Sequence, residues 1–184
     1  MTTPVRVNLE EFLAMEETKP YLELIDGEVV PKAMPTPQHG LLVLEIGAQL
    51  RNYLRASREG RAFTEVRHQS RNEERVYLPD LNVTVKDRLA REAFRGPVDL
   101  APDFAIEVLS PDDRAARVLD RVQFYLRAGV RLVWIVDPES RAVFVYRPGA
   151  APEEHRPPAV LDAKPVLADF ELSLGELFAV LDEE

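Results

Sequence analysis

The chain has 184 residues, 46% hydrophobic and 30% charged, proportions that suit a soluble globular protein with a sizeable core. It contains no cysteine, which excludes disulfides, iron–sulfur clusters and thiolate zinc sites and fits a cytoplasmic protein; no apolar run is long enough to span a bilayer, and "MTTPVRVNLEEF" lacks a signal-peptide core. A net charge of −9 argues against broad attraction to nucleic acid but leaves room for a local basic groove.

In chain order, "NLEEF" sets Asn8 three residues before Glu11, a capping-box start to a short helix. "YLELIDGEVV" places two apolar runs around Asp26-Gly27, a strong hairpin signal. In "PTPQHGLLVLEIGAQLRNYLRA", Thr36 suits a cap and Pro37 the first helical position. Leu41, Leu44, Ala48 and Tyr53 then keep a helical period, which predicts a helix over about 37–58.

Strands follow in "RAFTEVRHQ", "RVYLPDLNVTV" and "DFAIEVL", with the polar segment "KDRLAREAFRGPV" read as an irregular loop with a helical turn. "SPDDRAARVLDRVQFYLRAGV" reads as a second long helix, capped near Ser110 or Asp112 and stopped by Gly129. "RLVWIVDP" and "AVFVYRPG" form another hairpin, residues 150–165 are Pro-rich and extended, and "SLGELFAVL" is a last helix with a Ser173…Glu176 capping box. This order predicts an α/β fold with a mixed β-sheet flanked by two main helices, preceded by an N-terminal helix and hairpin.

Glu107 is the conspicuous residue, a carboxylate inside the apolar strand "DFAIEVL". Burying it without a partner costs several kcal/mol or neutralises it. Asp80 follows Pro79, and proline in a strand marks an edge, a start or a bulge. If the two strands are neighbours, Asp80 and Glu107 lie side by side at roughly 5 Å and repel unless a cation or proton intervenes. Oxygen-only donors favour magnesium or manganese over zinc. The other reading of the same spacing is a turn aspartate and a strand glutamate paired with a buried arginine. Asp103, four residues before Glu107 on the same face, is about 13 Å away and is read as a turn residue at the start of the strand. The histidines His39, His68 and His155 have no metal-like spacing, and only four of 23 basic residues are lysines: Lys19, Lys32, Lys86 and Lys164.

"YLELIDGEVV", "PTPQHG", "LPDLNV", "DFAIEVLSP" and "RVQFYLRAGVRLVWIVDP", in this order and spacing, resemble the Uma-two family of bacterial restriction-endonuclease-like proteins, over roughly Leu9 to Leu177. The resemblance implies a PD-(D/E)XK nuclease-like core, taken as one domain over 1–184. Asp80 and Glu107 match metal-binding carboxylates for magnesium or manganese, with the main-chain carbonyl of Val108 as a further ligand. Glu23 matches an acidic position that completes the site. DNA is the implied substrate, and a homo-oligomer, as a dimer, the expected assembly. His39 in "PTPQHG" falls near the site, within reach of a substrate phosphate.

The nuclease motif has a lysine two residues after the glutamate, a position held here by Leu109. In the family pattern the lysine moves to the next helix, in a stretch like D-x-x-x-K-x-x-x-Y. Aligned on Tyr125, that position is Arg121 and the aspartate position is Arg117. Arg121 sits at the margin of the Val118–Val122–Tyr125 stripe and is expected to approach Asp80 and Glu107, lowering the pKa of its partner. Arg114, Arg117 and Arg121 share one side. Arginine keeps the charge but cannot give up a proton. Two functions therefore stand on the sequence: a metal-dependent DNA endonuclease weakened by Arg121, or a non-catalytic homo-oligomeric binding or regulatory module on the same fold.

Overall fold

The computed structural model describes residues 6–70, 73–88 and 100–182. Helix α1 (Leu9–Ala14) carries both halves of its capping box, with Asn8 and Glu11 exchanging two hydrogen bonds of 2.9 Å. Strands β1 (Leu22–Ile25) and β2 (Glu28–Pro31) pair through Asp26 and Gly27, at φ 52° and 81°. Positive φ at both positions matches the right-handed twist of the strands, which explains the Asp-Gly pair.

Helix α2 (Pro37–Ser57) begins as expected, with Thr36 Oγ1 accepting from the His39 amide. The segment "RAFTEVRHQ" does not form one strand. It breaks at Glu65, whose φ is 50°, into β3 (Gly60–Thr64) and β4 (His68–Ser70). "RVYLPDLNVTV" likewise breaks at Pro79 into β5 (Arg75–Tyr77) and β6 (Leu81–Val85). Both breaks hand the chain from one sheet to another: β4 and β5 join the N-terminal hairpin in a four-stranded sheet, β2-β1-β5-β4, whereas β3 and β6 enter the main sheet.

The main sheet is mixed and six-stranded, in the order β10-β9-β8-β7-β6-β3, adding β7 (Phe104–Val108), β8 (Leu132–Asp137), β9 (Ala142–Tyr146) and β10 (Glu153–His155). Among the described residues only the β7–β8 pair is parallel, and α3 (Ala115–Arg127) makes that crossover. Contrary to expectation, neither Ser110 nor Asp112 caps α3. The N-cap is Arg114, with no side-chain hydrogen bond, because a turn in which the Ser110 amide donates to Asp113 precedes the helix. The extended 150–165 segment contains β10 and β11 (Val160–Asp162), which pairs with β12 (Glu171–Ser173). Helix α4 (Leu174–Ala179) keeps half of its expected box, Ser173 Oγ accepting from the Glu176 amide. Of the polar loop, Lys86–Arg88 form a 3-10 turn and 89–98 lie outside the described residues.

Strand alternation divides the two faces of β7. Phe104, Ile106 and Val108 pack with Leu42, Ile46 and Leu50 of α2, while Ala105 packs with Val122, Phe124 and Tyr125 of α3. By the same alternation Glu107 faces α3. Asp103 starts the strand and is buried, accepting from the Val85 amide and pairing with Arg88 and Arg131. It pins the opposite end of β7 from Glu107.

Candidate active site at the mouth of the two sheets

Leu81 pairs with Ile106 in the antiparallel β6–β7 ladder, so the next position outward sets Asp80 opposite Glu107. Pro79 ends the ladder there, and the freed Asp80 side chain turns back: its Oδ2 accepts from the Val108 amide at 2.8 Å. Asp80 and Glu107 are 3% and 2% exposed. The strand can carry these carboxylates because cations reach them from three other elements.

Lys32, one residue beyond β2, places Nζ 2.7 Å from Asp80 Oδ1 and donates to the Leu78 carbonyl at 2.8 Å. His39, in the first turn of α2, brings Nε2 to 3.1 Å from Asp80 Oδ2. Arg121 on α3 spans two carboxylates, NH1 to Glu107 Oε2 and NH2 to Glu23 Oε2, each at 3.3 Å. Tyr125, one turn further along α3, donates to Glu107 Oε1 at 2.6 Å. Glu23 is buried in β1 and its Oε1 accepts from the Leu78 amide.

The structure thus brings Glu23, Asp80, Glu107 and Arg121 together. Glu28 is exposed past the turn, and Arg114 and Arg117 are exposed on α3. Arg121 pairs with Glu107, one of the two carboxylates expected, and also with Glu23 of β1. His39 lies near the site as expected, with its Nε2 against Asp80. Lys32 is the residue that motif alignment missed. Its signal was compositional: in a chain that uses arginine almost everywhere, a lysine follows the second strand of the hairpin, in "EVVPK".

The charges do not balance, and the imbalance falls on one group. Three carboxylates (Glu23, Asp80, Glu107) face two permanent cations (Lys32, Arg121). Burial disfavours the Asp80 anion, but His39 and Lys32 together hold its carboxyl well below the usual range. Burial also opposes the charge on Lys32, yet Asp80, Glu107 and Glu23 keep its ammonium group above the usual value. Glu107 goes the other way. Arg121 pulls its pKa down as expected, but burial, helped by the Asp80 and Glu23 charges, wins and pushes it up to about 7. The expectation that Arg121 lowers its partner's pKa therefore fails in net effect, since full desolvation outweighs one ion pair.

These residues fit a hard divalent cation. Asp80 Oδ1 is buried and has a charge contact but no directed hydrogen bond, and Glu107 lacks a full counter-charge. Among the described residues no three His, Asp or Glu side chains converge as a metal cage. An ion held by Asp80 and Glu107 would complete its shell from main chain and water, which is how magnesium is usually bound.

The bridging geometry makes a prediction. Lysine at 121 has one nitrogen for two carboxylates, so Arg121→Lys is expected to lower thermal stability. A melting curve checks this; a variant as stable as wild type would show that the bridge between the two carboxylates contributes nothing to the fold.

Comparison with known proteins places this geometry in context. The family model Uma2, described as "Putative restriction endonuclease", matches residues 9–175. A crystal structure of "a putative nuclease belonging to DUF820" from Anabaena variabilis superposes with a TM-score of 0.86 at 31% identity, covering 95% of this chain and 99% of that one. No curated protein matches. Among the described residues no helix is long and apolar enough to cross a membrane.

Proposed function

The chain belongs to the Uma2 family, and from that premise we propose that it is a nuclease hydrolysing DNA phosphodiester bonds with one divalent cation, magnesium or manganese. The observation that carries the reading is the Asp80–Glu107 pair, opposed across β6 and β7 with Lys32 2.7 Å from Asp80. Asp80, Glu107 and the Val108 main-chain carbonyl would hold the ion. When bound, it would supply Lewis-acid stabilisation of phosphate charge and a more acidic water.

The chain's own residues do the rest. Lys32 stays protonated and offsets charge building on the phosphoryl oxygens, the part played by the motif lysine that Leu109 replaces. It serves as a cation and not as a base. Arg121 fixes Glu107 and Glu23 relative to each other, and the Tyr125 hydroxyl fixes the remaining Glu107 oxygen. His39 orients Asp80. Fold alone does not establish activity, but a lysine at the carboxylates supplies the charge whose loss from the strand had favoured a non-catalytic module.

Calorimetric titration with magnesium and manganese, followed by cleavage of plasmid and single-stranded DNA, tests the reading. Wild type is expected to bind one ion and to cleave. Asp80→Asn is expected to lose measurable ion binding and at least a hundredfold in cleavage, on the order of the loss for other charge-stabilising groups. Ion binding unchanged in Asp80→Asn removes Asp80 from the site, and a wild type that binds the ion but cuts neither DNA favours the non-catalytic module.

A further inference from the structure

A groove of about 1060 Å³ runs between α2 and β3, the edge strand of the main sheet. It starts beside the site: Gly40 follows His39 and Leu81 follows Asp80, and both line it. From there it follows α2 toward its C-terminus. Arg51, Arg55 and Arg58 recur along it at helical spacing, and Lys86 lines it as well.

Two features set this surface apart. Acidic residues outnumber basic ones 32 to 23 in the chain, yet no acidic side chain lines the groove among the described residues. Many of the other arginines are neutralised: Arg67, Arg75, Arg88, Arg127, Arg131 and Arg141 are each ion-paired, whereas Arg114 and Arg117 on α3 are exposed without an ion pair among the described residues. Arg51, Arg55, Arg58 and Lys86 have no ion-pair partner among the described residues. An unneutralised basic row on an acidic protein is an attraction for an anion of extended shape.

The half of the groove nearer the site is apolar. Val43, Leu44 and Ala48 from α2 and Ala62 from β3 line it, and Leu44 is 71% exposed. A duplex offers phosphates and groove edges and leaves such a floor unused. An unpaired strand offers both a phosphate row and apolar base faces, the two chemistries the groove presents side by side.

We propose that this groove seats an unpaired DNA strand leading away from the Asp80–Glu107 site, with phosphates on Arg51, Arg55, Arg58 and Lys86 and bases over the apolar floor. The choice of nucleic acid as occupant rests on the nuclease reading above. At the rise of an α-helix, Arg51 lies about 18 Å and Arg58 about 28 Å beyond His39, so these contacts engage nucleotides several positions from the scissile bond. They act on binding and leave the chemistry at the carboxylates untouched.

The test is fluorescence anisotropy in EDTA, where no cleavage occurs, with labelled oligo-dT of about 15 nucleotides and a duplex of the same length. Wild type is expected to bind the single strand more tightly. Combining Arg51→Ala, Arg55→Ala and Arg58→Ala is expected to weaken binding at least tenfold and to reduce the slope of log affinity against log salt by about 2, as loss of three phosphate contacts requires. Magnesium affinity and thermal unfolding are expected to stay at wild-type values. Unchanged oligonucleotide affinity in the triple variant, or tighter binding of the duplex by wild type, overturns the proposal. So does a wild-type dimer that the triple variant dissociates in sedimentation with strand affinity intact, which makes the groove a seat for a second copy. Strand binding through these arginines without cleavage of any DNA keeps the groove and sinks the nuclease reading; cleavage that the triple variant retains in full at sub-saturating DNA does the reverse.

Discussion

On the proposed nuclease reading, Lys32→Met is expected to lower magnesium-dependent cleavage roughly a hundredfold while leaving magnesium affinity undiminished or tighter. The two effects separate because Lys32 contacts Asp80 as a competing cation: its Nζ occupies a position 2.7 Å from Oδ1. Methionine has a similar length and no charge, so the ion meets less repulsion while the phosphate loses a counter-charge. A residue that merely props up the hairpin would lose affinity, stability and activity together. Lys32→Arg is not expected to rescue cleavage. The Lys32 side chain is 10% exposed and its ammonium contacts Asp80 Oδ1 and the Leu78 carbonyl at 2.7 and 2.8 Å, contacts that suit a compact point charge better than a larger planar guanidinium. Calorimetry and single-turnover cleavage on the same preparations decide the matter; wild-type cleavage by Lys32→Met removes this residue from the mechanism.

The second large effect is a stability difference whose sign depends on which carboxylate is changed. In EDTA, Glu107→Gln is expected to melt above wild type at about pH 8 and level with it at about pH 4. The folded-state pKa of Glu107 is raised to about 7 from its ordinary value of 4.5. Between those values the unfolded chain gives up its proton before the folded chain does, so stability falls as pH rises through the window and stays reduced above it. The penalty is on the order of 3 kcal/mol, and glutamine does not incur it. Asp80 has the opposite sign. Its folded pKa is depressed, so its contribution is present above the ordinary carboxylate range and is lost only in strong acid. Asp80→Asn strands the buried Lys32 ammonium without its nearest anion and is expected to cost about 3 kcal/mol at neutral pH. Magnesium should raise the melting temperature of wild type and not of either variant. Equal pH profiles for wild type and Glu107→Gln would show that Glu107 is not the strained group.

A carboxylate kept at a stability cost is what a functional site looks like energetically, since a purely structural glutamate at this position would be better replaced. The asymmetry within the pair is also chemically useful. Asp80 is held as an anion well below the usual carboxylate range, whereas Glu107, raised to about 7, exchanges its proton near neutrality.

Much of the fold follows from short-range rules and was legible residue by residue. Asn8 and Thr36 cap their helices because their side-chain oxygens reach the amides three residues on, and Asp26-Gly27 turns because both positions take positive φ. The alternation in "FAIEV" assigned Glu107 to the opposite face from Phe104 and Ile106, and Pro79 marked where the ladder breaks. The acid pair, too, was visible, because an apolar strand with one carboxylate and a neighbouring Pro-Asp restrict the choices. Glu65 was read as lying inside one strand and Pro79 as an interruption within another; at both the chain instead crosses between two sheets, and no local signal shows that a second sheet takes the far end.

The cations around the carboxylates were a different matter. Lys32, His39 and Arg121 stand 48, 41 and 41 residues from Asp80 along the chain, and what each one touches depends on how β1 and β2, α2 and α3 pack on the main sheet. Burial is likewise a property of the assembled fold, and burial sets the direction of the Glu107 pKa against the pull of Arg121. The sequence by itself determined the elements, the faces and the two central acids, because hydrogen bonding and side-chain alternation act over a few residues. Only the tertiary structure decided which charges meet, which lysine serves Asp80 and which carboxylate is left short of a partner, because electrostatic energies depend on distance and desolvation, and neither is written in residue order.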